Sequence, residues 1–298
     1  MKLSKVAIVR GRGVLSSGSM IDQKKLIQMY TRGFQILTEQ SSLRESVSVF
    51  FRPRERIGIK INTIAGRKLT SRPEATICLS NILSENGIQG KNIIIWDRTN
   101  RELREAGYRL NLSGAGVKIF GTDTDGAGYN SGLISHLNIG SIFSSIQSEL
   151  ITASISFAVL KDHGLAGVTA GMKNYFGTIH NPNKYHDDNC NPFIPELFDS
   201  KFIKRKHKLS ILDCLIVQYH RGPSFHSPWA KRYEALIFSS DPVAADFVGW
   251  QIIEKLRAEK GLPSLKEENR EPQYFITAEK MGLGRAQSKF IQIIEEEV

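Results

Sequence analysis

"RIGIKINTIAGRKLTSRPEATICLSNILSENGIQGKNIIIWD", residues 56–97, sets two short apolar runs on either side of a helical segment. "RIGIKIN" and "KNIIIWD" read as strands, and "SRPEATICLSNILSENG" between them reads as a helix. Ser71 and Glu74 form an S-x-x-E capping box there, with Pro73 inside the first turn. "TNRELREAGY" repeats the device as T-x-x-E through Thr99 and Glu102, and "GVKIF" follows as a strand. The resulting β-α-β-α-β order predicts a parallel, Rossmann-like sheet. Upstream, "KVAIVRG" is a strand, and Asp22 caps a helix with Leu26, Ile27, Tyr30, Phe34 and Leu37 on one face. In open parallel sheets ligands bind at the carboxyl edge, where helix amino termini present free N–H groups. Lys60, Asn62, Asp97, Arg98 and Arg101 are expected on that rim.

The second half is less regular. "ITASISFAVL" reads as a buried strand, residues 161–191 as a long loop with a short helix, and "HKLSILD", "LIVQY" and "YEALIFSS" as strands. Asp241 and Pro242 open a helix carrying Ala244, Phe247, Val248, Ile252 and Leu256 on one face. No linker or repeat divides the chain. The expectation is one α/β domain over residues 1–298, a mixed, mainly parallel Rossmann-like sheet with helices on both faces.

Hydrophobic content of 41% with 23% charged residues is that of a chain that folds compactly. Three cysteines without a CxxC make neither a disulfide framework nor an iron–sulfur site. "ITASISFAVL" is about half the length that spans a bilayer, and it runs into Lys161 and Asp162. "MKLSKVAIVRGRG" lacks the apolar core of a signal peptide, so a cytoplasmic location is expected. The net charge of +10 attracts anions. Its basic residues fall in short clusters without interleaved aromatics, which favours an anionic small molecule over nucleic acid as partner.

The chemistry concentrates in "KDHGLAGVTAGMKN", residues 161–174. It approaches a phosphate-binding loop but fails on spacing. Three residues separate Gly167 from Gly171, Met172 precedes Lys173, and Asn174 stands where a hydroxyl is needed. No G-x-G-x-x-G follows the first strands, so a standard dinucleotide site is not expected. "DTDGAG" from Asp123 reads as a turn rather than a calcium loop. His163, His180, His186, Asp187, Asp188 and Cys190 crowd together, with a spacing that matches no zinc motif. A divalent metal held by His163, His180 or His186 is one variant of the site.

Lys173 acts as base or nucleophile if desolvated and as an anion clamp if hydrated; alternatively its loop is a packing device. His163 is a candidate acid or base, Asn174 an orienting hydrogen-bond partner, and Asp213, set in apolar "LSILDCLIV", the residue that fixes one of them. Lys161 and Thr169 are candidate ligand contacts. Asp241 reads most simply as a helix cap and is also a candidate contact; Asp246 faces a partner or solvent. "HRGPSFH", with His220, Arg221 and His226, reads as a rim turn, and His207 as surface. The leading reading is an enzyme of unassigned reaction on an anionic small molecule. A non-catalytic or redox-accessory protein that recognises an acidic partner is the alternative.

"KDHGLAGVTAGMKNYFGTIHNPNKYH", "LSILDCL", "HRGPS" and "SSDPVAADFVGWQIIEKLR" resemble the family designated domain of unknown function 362. The likeness extends through "IGIKIN", "RPE", "IIIWDRTNRELREAGY" and the closing "MGLG". It implies an α/β protein whose signature positions correspond to Lys161, His163, Gly167, Thr169, Lys173, Asn174, Asp213, Asp241 and Asp246. Similar proteins often carry a twin-arginine export signal or a ferredoxin-like segment; neither pattern stands in this chain. The resemblance implies a fold and a site but no established reaction.

Overall fold

A computed structural model describes residues 3–16 and 20–298. Met1 and Lys2, which begin the segment read for a signal peptide, lie outside them. The strands are β1 (Ser4–Arg10), β2 (Ile57–Lys60), β3 (Ile93–Trp96), β4 (Lys118–Ile119), β5 (Ile134–His136), β6 (Ile139–Ser141), β7 (Ala153–His163), β8 (Gly167–Thr169), β9 (His207–Gln218), β10 (Ala230–Ser239) and β11 (Ile291–Glu297). The main sheet runs β11-β1-β10-β9-β7-β2-β3-β4, with β8 folded onto β7; β5 and β6 form a separate hairpin. Adjacent strands are parallel except that β10 is antiparallel to β1 and β9, and β8 to β7. The carboxyl ends of β2, β3, β7 and β9 therefore share one edge.

The helices are α1 (Gln23–Thr38), α2 (Leu43–Phe50), α3 (Pro73–Glu85), α4 (Asn100–Glu105), α5 (Gly171–Asn174), α6 (Phe193–Asp199), α7 (Lys201–Lys204), α8 (Pro242–Ala258) and α9 (Tyr274–Lys280). The period-2 alternation of strand side chains builds a core on each face. Ala7, Val9, Ile155, Phe157 and Ile211 pack under α1 and α3. Val6, Ile8, Ala158, Leu160 and Leu212 pack under α8. Each such fully buried Val, Leu, Ile or Phe side chain is worth about 1.5–3 kcal/mol over an exposed one. β2 and β3 are buried on both faces, which is why they read as continuous apolar runs. Among the described residues no helix is long and apolar enough to cross a membrane.

Several local expectations are corrected. Ser71 does not cap α3: its Oγ donates to Phe157 O at 2.7 Å, and Arg72 holds the cap position without a side-chain bond. A strand carbonyl in the interior outcompetes the helix terminus for that hydroxyl. Asp22, Thr99 and Asp241 do cap, accepting from Lys25 N, Glu102 N and the pair Val243 N and Ala244 N. Ile27 is exposed, and Met29 joins the inner face of α1 instead. Residues 161–163 are the end of β7 rather than loop, because β8 turns back and pairs Lys161 with Thr169 and His163 with Gly167. "HKLSILD" and "LIVQY" form the single strand β9. Asp213 does not interrupt it, because its carboxylate accepts from Arg72 N at 3.2 Å and Leu215 N at 3.0 Å. His207 is not a surface group; its ring contacts Tyr175 Oη at 3.0 Å and Ser210 Oγ at 3.3 Å and packs edge-on to Phe198.

Candidate functional site

β2 ends at Lys60, β3 delivers Asp97 just past Trp96, and β7 ends with Lys161 and His163. Inward-facing residues at strand ends point into the crevice beyond the sheet's carboxyl edge. α5 closes that crevice with Lys173 and Asn174, and its position is set from the opposite face of the core. Asp246 on α8, fully buried, accepts from Gly171 N at 2.7 Å and Met172 N at 2.9 Å. Burial pushes its carboxyl up to about 7. An added Cβ at Gly171 would stand 3.0 Å from Asp246 Oδ1 and from Ser210 Oγ, so the small residue permits the clamp. The carboxylate expected to face a partner or solvent thus holds α5 in place.

These elements enclose a cavity of about 250 Å³. Of the residues singled out in the sequence, Lys60, Asn62, Asp97, Arg98, Lys161, His163, Thr169, Lys173, Asn174 and His186 line it. Arg101, Asp213, Asp241 and His180 do not; Arg101 is exposed and pairs with Glu105. Asp213 is committed to backbone N–H groups. Asp241 caps α8 and also accepts from Ser4 Oγ at 2.5 Å and Arg285 N at 3.0 Å. His180 packs edge-on against Tyr129. Among the described residues no three His, Cys, Asp or Glu side chains are grouped as a metal site requires.

One wall is a rigid polar lattice. Lys60 Nζ donates to Asp97 Oδ1 at 2.6 Å, Ile61 O at 2.7 Å and Asn174 Oδ1 at 3.3 Å. Asp97 Oδ2 accepts from Thr63 N at 2.8 Å and Thr63 Oγ1 at 2.6 Å. Asn174 Nδ2 returns to Lys60 O at 2.8 Å and Ser156 Oγ at 3.1 Å. Buried charges survive when paired and hydrogen-bonded in this way. Asn174 therefore ties α5 to β2.

The other wall holds amines without carboxylate partners. Lys161, wholly buried, donates to Asn62 Oδ1 at 2.9 Å. Burial lowers its pKa to about 7, against the pull of Asp97 and with a further push from the Lys173 charge. Lys173 Nζ lies 3.1 Å from His186 Nε2 and 4.2 Å from the centroid of the Phe176 ring. Burial brings it down to about 8, with Cys190 opposing. His186 Nδ1 meets Pro182 O at 3.1 Å, which places its proton there and leaves Nε2 to accept from Lys173. His163 Nδ1 accepts from Leu165 N at 3.2 Å and Ala166 N at 3.1 Å. Burial, reinforced by the Lys173 charge, holds it down at about 2. At neutral pH His163 is therefore a neutral imidazole with its proton on Nε2, a hydrogen-bond donor rather than a base.

Sequence reasoning overlooked Phe176, Glu102 and Pro223 as cavity residues. Glu102 was legible only as the acidic member of the T-x-x-E pattern that opens α4, yet its buried Oε2 has no hydrogen-bond partner among the described residues, and burial raises its pKa. Pro223 belongs to the "HRGPS" turn, which is pinned by Gly222 N donating to Asp162 Oδ2 at 2.8 Å. His220 instead contacts Arg257 Nη1 at 3.2 Å.

A mainly parallel sheet with buried amines and an imidazole around a cavity at its carboxyl edge defines an α/β protein. The chain belongs to the family described as Domain of unknown function (DUF362), which it matches over residues 57–251, a span that contains every cavity-lining residue. No curated protein matches it. Among solved structures, it is similar to the lactate racemase apoprotein from Thermoanaerobacterium thermosaccharolyticum. That match has 13% identity and a TM-score of 0.48, covering 84% of this chain and 57% of that one. A Thermotoga maritima protein matches at 11% identity and a TM-score of 0.43, covering 81% of this chain and 60% of that one. The chain thus spans less than two thirds of either protein, and likeness at this level carries no argument about ligand or reaction.

Proposed function

We propose that this chain is an enzyme that binds an anionic small molecule in the carboxyl-edge cavity and transfers a proton on it. The supporting observation is that Lys161 and Lys173, both buried, line one cavity and neither is hydrogen-bonded to a carboxylate. Two amines desolvated together leave unsatisfied positive charge, which a bound anion neutralises. Lys173 retains its proton at neutral pH and serves as the anion clamp. Lys161 titrates in the working range and serves as acid or base. His163 donates through Nε2, and Asn174 with the Lys60–Asp97 pair keeps the wall fixed.

Titration calorimetry with small carboxylates and inorganic phosphate tests this reading. The wild-type chain is expected to bind at least one of them, with Lys173→Met weakening binding by about 10- to 100-fold while the fold is retained. Absence of binding to every small anion, together with salt-sensitive binding to an acidic protein, would favour the non-catalytic alternative.

A further inference from the structure

Three lysines line the cavity, and their partners separate their roles. Lys60 Nζ has three acceptors, Asp97 Oδ1, Ile61 O and Asn174 Oδ1, so all three of its protons are committed. Lys173 Nζ is shared between an imidazole nitrogen and an aromatic face. Lys161 Nζ has one acceptor among the described residues, the neutral amide oxygen of Asn62, and its side chain is buried two residues before the end of β7. An amine held by one neutral acceptor and shielded from water is placed to present a lone pair. The cavity, about 250 Å³, lies just below the usual range for drug-sized ligands, which favours a small partner.

We propose that Lys161 Nζ is a nucleophile that captures the carbonyl carbon of a small 2-oxo acid as an imine, with Lys173 holding the acid's carboxylate. This rests on the anion-binding reading of the cavity given above, names its substrate class, and replaces the acid–base role of Lys161 with a nucleophilic one. The neutral amine forms the C–N bond while the carbonyl π pair moves onto oxygen, which takes up a proton. The nitrogen then releases one proton, which balances the one taken up by oxygen; its lone pair forms C=N as the hydroxyl leaves, and the second N–H proton passes to that hydroxyl to complete the water. Amine and carbonyl become imine and water, and no oxidant or reductant is consumed. His163, donating through Nε2, is the neutral hydrogen-bond donor on the wall for the carbonyl oxygen. Asn62 orients the attacking amine.

The full chain is incubated with pyruvate and sodium borohydride, then mapped by peptide mass spectrometry. The expected result is an adduct on Lys161 with the mass of pyruvate less one oxygen, formed ahead of any on exposed lysines. Lys161→Arg should abolish it, and Lys173→Met should raise the pyruvate concentration needed for half-trapping by roughly tenfold or more. Propionate, which has the carboxylate but no carbonyl, should compete. Calorimetric binding of pyruvate and propionate without an adduct on Lys161, or with the adduct elsewhere, overturns the imine and leaves the anion-binding reading standing. Failure of both acids to bind or trap overturns the imine and counts against that reading as well. Because the adduct is located in the wild-type chain, the outcome does not depend on how the variants fold.

Discussion

The lysine at position 161 and the two aspartates at 213 and 241 show how far a residue's type determines its task. All three were legible as chemistry-bearing groups, but only Lys161 lines the cavity; the aspartates are spent mainly on backbone N–H groups. Sequence cannot separate these cases, since a carboxylate that clamps a chain turn and one that meets a ligand look alike until their neighbours are known. Burial of Lys161 has a thermodynamic signature. Its pKa falls from 10.5 to about 7 in the fold. Between those values the unfolded chain binds a proton that the native chain has shed, so this group makes stability rise with pH. The slope is at most about 1.4 kcal/mol per pH unit, and it vanishes below pH 7, where both states are protonated. Lys161→Met is expected to flatten that rise in urea melts taken across the window, and an unchanged slope would show that Lys161 is solvated.

At the scale of elements, α5 has only four residues and owes its position to packing rather than propensity. "GVTAGMKN" was legible as a small-residue segment that delivers Lys173 and Asn174. The turn itself is held by Asp246, a residue more than seventy positions away, and no local pattern announces that. Asparagine at 246 would offer one acceptor oxygen where two N–H groups need partners. Asp246→Asn is therefore expected to cost about 1–3 kcal/mol in urea melts and to weaken anion binding in the same preparation, through displacement of Lys173. Wild-type stability and affinity in that variant would show that α5 holds its place without the clamp. Asp22 and Thr99 cap as their local patterns indicate, whereas Ser71 does not: its hydroxyl donates to a buried strand carbonyl, and Arg72 takes the cap position. The capping box of Ser42 and Glu45 that opens α2 was equally readable and was passed over.

Across the whole molecule, β10 is inserted antiparallel between β1 and β9, and β11 closes the edge by pairing with β1 from Ser4↔Ile291 to Arg10↔Glu297. Arg32 and Glu296, and Arg10 and Glu295, form ion pairs along that margin. Edge strands rich in charge discourage pairing with other chains. Deletion of residues 291–298 would bare the apolar strand β1, and light scattering is expected to detect larger species than the parent forms; an unchanged size would mean that β1 needs no cover. By itself the sequence determined the types of β1, β2, β3, α1, α3, α4 and α8, because apolar runs, helical spacing and caps are local, and it singled out residues 161–174, because charged and small residues interrupt an apolar run there; α2 and β11 were not read from it. Only the tertiary structure decided the strand order, the burial of Lys161 and Lys173, and the separation of Asp213, Asp241 and His180 from the cavity. Those properties depend on contacts between residues far apart in the chain, and burial, which moves each pKa, is a property of the assembled surroundings rather than of the residue.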